Sequence, residues 1–307
     1  MSAGSEAQTP VTLVCATCNA PESVELTFAS LLRHTPEPFR LVVADNSDDD
    51  TVAQVLSRWP RIRVISLAER VAIAAREARW EAAVEARLAE RVACRGATEV
   101  PAVRHPTHER SRRALAEHGA TLDWLVARVT TPFVLTLDSD VEFRETGWLT
   151  DMLRLATSGD AAAVGIYEPG QFGYQPRLAP YVLLLRTDVI HRLGATFRGG
   201  SVTTDAEEAR RWHARTRGFE LDLAELQAYP TTKVYPTAAV LFEQLTHAGE
   251  RWLDLPPGVA GKFHHFGHMS WGERSDAEGG SERGRGYRAE RLLEVQTALA
   301  WYRAGRV

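Results

Sequence analysis

Short apolar runs rich in β-branched residues alternate with stretches of helix-forming composition, and this alternation restricts the possible folds most. Val11–Thr17 (VTLVCAT), Arg40–Asp45 (RLVVAD) and residues 61–67 (RIRVISL) have the length and residue types of strands. Between the first two, Pro21 and Glu22 open a helix through Leu32, and after the second the acids Asp48, Asp49 and Asp50 are suited to cap a helix through Leu56. Strands separated by helices of this length predict an α/β fold. A mostly parallel central sheet would carry helices on both faces, with right-handed crossovers. Further strands are expected at 132–137, 162–167 and 181–185, and helices at 205–217, 237–248 and 288–302.

A chain of 307 residues is long enough for one sizeable core, or for one domain with an appendage. Its hydrophobic fraction of 44% and charged fraction of 25% are those of an ordinary globular protein. A net charge of −4 argues against a nucleic-acid binder, whose footprint would be basic. No apolar run approaches the roughly 18 residues of a membrane span. The first ten residues lack the charged and apolar segments of a signal peptide, so a cytoplasmic location is expected. The three cysteines, Cys15, Cys18 and Cys94, are too few for a disulfide framework. Cys15 and Cys18 form a C-x-x-C, for which buried, reduced thiols are the expected state; a zinc site shared with the distant histidines around His264 is the alternative.

Residues 69–92 are rich in Ala, Glu and Arg and predict a long surface or interface helix. Residues 94–107, with Gly96, Pro101 and Pro106, read as loop. The polar, glycine-rich stretch 273–286 reads as a flexible loop, either a lid or plain disorder.

The most informative local feature is the apolar run 132–137 delivering Asp138-Ser139-Asp140. In a parallel α/β sheet, ligands sit beyond the carboxyl ends of the strands. Positions i and i+2 of an extended segment face the same way, so both carboxylates can point into one crevice. Two hard oxygen ligands there suit Mg²⁺ or Mn²⁺, which keep coordination positions for substrate phosphates. The plainer alternative is a turn, where Asp is common in any fold.

The surrounding residues favour chemistry. Ala16-Thr17-Cys18-Asn19 ends the first expected strand, and Ala44-Asp45-Asn46-Ser47 ends the second, followed by Asp48-Asp49-Asp50-Thr51. With the D-x-D, this order resembles the family 2 glycosyltransferases of the GT-A fold, over residues 11–58 and 105–195 and more loosely over 235–271. The resemblance implies a Rossmann-like nucleotide-sugar-binding half at 11–144, with a helical insertion at 69–104, and an acceptor-binding half at 145–272. A disordered N-terminus (1–10), the loop 273–287 and a C-terminal helix (288–307) complete the expected organisation. It further implies a nucleoside-diphosphate sugar donor, a hydroxyl acceptor on a small molecule or glycan, a divalent metal and an inverting reaction. Thr17, Asn19 and Asp45 would line the nucleotide pocket, with Asp45 holding the base or ribose and Asp138 adjoining the bound nucleotide. His118, with Gly119, Leu122 and Asp123, falls in a stretch that borders the nucleotide in the family; an ordinary helix start is the alternative.

Phe263-His264-His265-Phe266-Gly267-His268 places three imidazoles close together, and imidazole is a good transition-metal ligand. In the family a histidine on a C-terminal loop completes the metal site, and His265, in the frame His-Phe-Gly, matches it best. His268 is a further imidazole for the metal or the substrate. A histidine beside the carboxylates tilts the ion from Mg²⁺ toward Mn²⁺.

The resemblance also implies an acidic base at the start of the helix expected near Thr237, yet Val234-Tyr235-Pro236-Thr237 contains no acid. Asp222, with Glu220 behind it, is the nearest replacement, followed by Asp205 and Glu243. Two rival functions remain: a sugar nucleotidyltransferase, which would want a glycine-rich basic first loop that residues 16–22 do not supply, and a catalytically silent nucleotide-sugar-binding protein.

Overall fold

Each of the early apolar runs forms a strand, and the segments between them form helices. The computed structural model describes residues 9–47, 49–76, 118–170, 174–203, 232–267 and 282–305. In chain order, β1 (Val11–Thr17) leads to α1 (Pro21–His34), β2 (Arg40–Asp45), α2 (Thr51–Leu56), β3 (Arg63–Ser66) and α3 (Leu67–Arg76). Next come α4 (His118–Val126), β4 (Phe133–Asp138), β5 (Val141–Phe143), α5 (Trp148–Ser158), β6 (Ala163–Gly165), β7 (Tyr167–Glu168) and β8 (Arg177–Leu178). β9 (Val182–Arg186), α6 (Thr187–Leu193), β10 (Gly200–Thr203), β11 (Thr232–Tyr235) and α7 (Ala239–His247) follow. β12 (Trp252–Asp254), α8 (Pro257–Ala260), β13 (Phe263–His265) and α9 (Glu282–Arg303) complete the order.

The main sheet has seven strands in the order β12-β6-β9-β4-β1-β2-β3. Its neighbours are parallel except where β9 runs antiparallel to β4 and β6. The α/β class and the mostly parallel sheet are therefore those expected. β1 lies between β2 and β4 and is buried along its whole length. Its alternate residues feed two cores: Val11, Leu13 and Cys15 pack on one face, Val14 and Ala16 on the other. That two-sided burial is why the strand reads as a continuous apolar run rather than an alternating one.

Several boundaries differ from expectation for local reasons. At the start of α2, Asp49 accepts from Thr51 N–H at 3.0 Å and Thr51 Oγ1 at 2.5 Å, while Asp50, the N-cap residue, makes no capping hydrogen bond through its side chain. The run 162–167 is divided at Ile166, with β6 in the main sheet and β7 pairing only with β8. α7 starts two residues beyond Thr237, because Ala238 takes a left-handed φ of 69°. The loop expected over 273–287 is corrected at its end, since helix begins at Glu282. Gly284 and Gly286 signal a break, but Val295 and Leu299 further along α9 pack with Leu26 of α1 and Phe266. Tertiary burial overrides the weak local propensity. The expected helix 205–217 and most of the insertion 69–104 lie outside the described residues.

Candidate metal and nucleotide site

Strand pairing brings the site together at the carboxyl edge of the sheet. β1 pairs Thr17 with Asp45 of β2 on one side, and Ala16 with Asp138 of β4 on the other. The chain turns through Ser139 and Asp140 into β5, whose Val141 and Phe143 amides donate to Thr27 Oγ1 and Ser30 Oγ of α1, each at 3.1 Å. Those two buried hydroxyls, one turn apart, anchor the segment that follows the second aspartate. β13 pairs antiparallel with β5, setting His265 opposite Val141, and Phe266 N–H donates to Asp140 C=O at 3.0 Å.

This register delivers the His265 imidazole to the two aspartates. His265 Nε2 lies 3.2 Å from Asp140 Oδ1 and 3.8 Å from Asp138 Oδ2. One donor atom from each of Asp138, Asp140 and His265 lies within 4.8 Å of the others. Asp138 also faces His118, the first residue of α4, at 3.3 Å between His118 Nε2 and Asp138 Oδ1. Tyr181 closes the other side: its C=O accepts from Asp138 N–H at 3.1 Å, and its ring stacks on His265 at 4.0 Å.

Charge balance within the cluster is strong. Burial pushes the Asp138 carboxyl upward, but His118, through charge and hydrogen bond, together with His265 and Arg177, outweighs it and holds the group below its ordinary value. Burial pushes His265 downward, and the Asp140 hydrogen bond and charge, with Asp138 and Glu168, reverse this and raise it. The two carboxylates thus favour positive charge at His265, on the side where a cation would sit. Two carboxylates and one imidazole, clustered this tightly, fit a small divalent ion, and the nitrogen donor suits a first-row transition metal. An ion would bind the neutral imidazole of His265, so binding and protonation compete there.

The nucleotide-side residues form a second, adjoining network. Asp45 Oδ1 accepts from Thr17 Oγ1 at 3.3 Å and from Ser47 N–H at 3.0 Å. Asn19 adopts a left-handed φ of 46°, tolerable for Asn, and donates its N–H to Ser47 Oγ at 3.0 Å. Thr17 is thus buried behind Asp45, while Asn19 shapes the turn into α1.

Residues 12–85 match the sequence model of glycosyl transferase family 2. The chain resembles that family. Its sheet, read with this match, is of the GT-A type. No curated protein matches the chain in sequence. Among solved structures it is similar to the mannosyltransferase PcManGT of Pyrobaculum calidifontis in complex with GDP-Man and Mn²⁺, at 13% identity and TM-score 0.40, over 63% of this chain and 48% of that one. S. aureus TarS 1–349 in complex with UDP-GlcNAc matches at 15% identity and TM-score 0.36, over 61% of this chain and 48% of that chain. Apo mouse xyloside xylosyltransferase 1 matches at 11% identity and TM-score 0.41, over 80% of this chain and 84% of that one. The chain spans about half the length of the first two.

Of the residues expected from the family 2 resemblance, Asp138, Asp140, His265 and His118 converge, and Thr17, Asn19 and Asp45 lie on the neighbouring strand ends. Asp222, Glu220, Asp205 and His268 lie outside the described residues. Glu243 sits within α7. Asp123 is buried and accepts from Thr196 Oγ1 at 2.6 Å and Phe197 N–H at 2.7 Å, which is a structural duty. Cys15 is buried and Cys18 partly so; among the described residues neither forms a disulfide or joins the metal-binding cluster. Among the described residues no helix is long and apolar enough to cross a membrane.

Sequence reasoning missed Tyr181 and Arg70. Tyr181 opens an apolar run and reads as strand, with no sign that its ring would meet His265. Arg70 falls in an Arg-rich stretch of sequence, where nothing in the residue types marks one arginine as buried.

Proposed function

We propose that the chain transfers a glycosyl group from a nucleoside-diphosphate sugar to a hydroxyl on a small molecule or glycan. The convergence of Asp138, Asp140 and His265 at the carboxyl edge of the sheet, beside the paired strand ends Thr17 and Asp45, carries this reading. Asp138, Asp140 and His265 would hold Mn²⁺ or Mg²⁺, with His268 available nearby in sequence. Once bound, the ion supplies positive charge to the departing diphosphate. Asp45, held by Thr17 and Ser47, presents its carboxylate to the base or ribose, and Asn19 shapes that wall. His118 orients Asp138 from the diphosphate side and can donate to a phosphate oxygen. In an inverting reaction Asp222, with Glu220 as its reserve, takes the proton from the acceptor hydroxyl.

A catalytically silent binding protein is the second reading, favoured by the absence of any acid in Val234-Tyr235-Pro236-Thr237. Thermal melting with UDP-, GDP-, ADP- and dTDP-sugars, with and without MnCl₂, tests the binding step, since a ligand specific for the native state raises stability. One nucleotide sugar should raise the melting temperature, and only with the ion present. Release of free sugar from that donor separates the enzyme from the silent protein. If no nucleotide sugar shifts melting in either condition, the proposal is wrong.

A further inference from the structure

Arg70 lies in the first turns of α3, and its side chain is 0% exposed. Its Nη1 donates to Thr121 Oγ1 at 3.1 Å, and its Nη2 donates to Asn46 Oδ1. Asn46 Nδ2 donates to the same Thr121 hydroxyl at 3.1 Å, and Asn46 N–H donates to Thr17 C=O at 2.8 Å. The guanidinium therefore closes a triangle joining three elements: the turn after β2, helix α4 and helix α3.

A fully buried cation is an expensive way to hold helices together, since apolar residues of similar size often serve as well or better. Its position gives it another use. Asn46 directly follows Asp45, the carboxylate on the nucleoside side of the crevice. Thr121 sits one turn along α4 from His118, which faces Asp138 on the metal side. Burial draws the guanidinium down to about 10, opposed by the Asp45 charge, so it remains cationic at neutral pH. That places a fixed positive charge behind the wall against which an anionic ligand would lie. The planar fork suits this bridging, because it offers two acceptors separate N–H groups at a set angle, which an ammonium does not.

We propose that Arg70 is a positioning residue of the donor site: by clamping Asn46 to Thr121 it fixes Asp45 and His118 at the spacing that a nucleoside diphosphate requires. This rests on the donor-site reading above. It assigns the start of the inserted segment a role in ligand affinity rather than only in packing.

The test uses the full chain with Mn²⁺ and four probes, UDP, GDP, ADP and dTDP, titrated calorimetrically. Arg70→Met removes the charge and both hydrogen bonds while keeping much of the side-chain length. Its Kd for the diphosphate that the parent binds best should rise at least about ten-fold, the loss expected for charge-assisted hydrogen bonds. Mn²⁺ affinity without nucleotide, read by electron paramagnetic resonance, should change by no more than about two-fold, because the backbone of Asp138 stays fixed by its pairing with β1 and Tyr181 even when His118 shifts. Arg70→Lys should recover only part of the loss. General loosening would instead weaken ion and nucleotide together, and that pattern overturns the assignment. If Arg70→Met does not fold, Thr121→Val decides: it keeps the cation, removes the shared acceptor, and should weaken the diphosphate without weakening the ion. Folded variants that bind the diphosphate as tightly as the parent also overturn it. A parent that binds none of the four probes defeats the donor-site reading itself.

Discussion

His265 Nε2 stands 3.2 Å from Asp140 Oδ1, although the two residues are far apart in sequence. Backbone pairing produces the contact: β13 lies antiparallel to β5, and the Phe266 amide ties the same loop to the Asp140 carbonyl. Phe266 is in turn buried against Val295 and Leu299 of α9, so the C-terminal helix supports the imidazole from behind. If the cluster is a metal centre, crystals grown with Mn²⁺ should show His265 Nε2 at roughly 2.0–2.2 Å from the ion, with both aspartates contributing oxygens. An ion bound elsewhere, or an imidazole turned away from it, would remove His265 from the set.

Asp140→Asn keeps the side-chain shape and removes one negative oxygen donor. The residue ends a turn, and its carbonyl accepts from Phe266 N–H just past β13, so the fold should survive, as circular dichroism would show. Affinity for a nucleoside diphosphate should fall toward the value measured without metal. Unchanged affinity in the presence of Mn²⁺ would mean that the ion is held without Asp140.

The strands and the D-x-D were legible because they depend on local features: β-branched runs, two-sided burial and an acidic strand end. Bringing His265 to that end required a long-range pairing that no spacing rule encodes, and only the family resemblance pointed to it. Tyr181 and Arg70 left no trace at all. A tyrosine opening a strand and an arginine in an Arg-rich stretch look the same whether they face a site or solvent. The start of α9 departs from the sequence expectation for the opposite reason, since Gly284 and Gly286 are helix breakers locally and packing farther along the helix overrules them.

The proposed base is tested by Asp222→Asn, whose position lies outside the described residues. Donor affinity should stay unchanged while kcat falls by about 10²–10⁴-fold, the worth of a general base acting in the transition state. A loss of only a few-fold would transfer the role to Asp205 or Glu243, which the same assay can rank.

Gly119 lies where two backbone segments meet at the start of α4. A Cβ there would come within 2.7 Å of Phe197 C=O and 2.8 Å of Arg198 Cα, both backbone atoms that cannot swing aside. Gly119→Ala should therefore destabilise by about 1–3 kcal/mol, as overpacking does. It should also displace His118, so reduced nucleotide affinity should accompany the lower melting temperature. A variant as stable as the parent would mean that the 196–198 segment yields easily.

Glu25 gives the fold a pH dependence of its own. Its carboxylate is buried on α1 and receives Arg303 in a two-pronged contact, Nε at 2.9 Å and Nη2 at 2.6 Å, with Arg58 Nη1 at 2.6 Å on the same carboxylate. Burial pushes the group upward, but the hydrogen bond and charge of Arg303, then the charge and hydrogen bond of Arg58, hold it below its ordinary value. Because the folded form is the stronger acid, the unfolded chain binds the proton first as pH falls. The stabilisation is thus fully present above the unfolded glutamate value of about 4.3 and is lost as pH drops through the lower folded value. Both arginines are more than half exposed, so solvent limits the contribution to about 1 kcal/mol. Glu25→Gln should lower stability at pH 7 by about that amount and flatten the urea-melt midpoint across the acidic window relative to the parent. Because α9 backs Phe266 and so His265, the variant should also weaken Mn²⁺ binding at pH 7. Parallel pH curves for variant and parent would show that Glu25 titrates alike in the folded and unfolded chains, and that α9 is held by its apolar face alone.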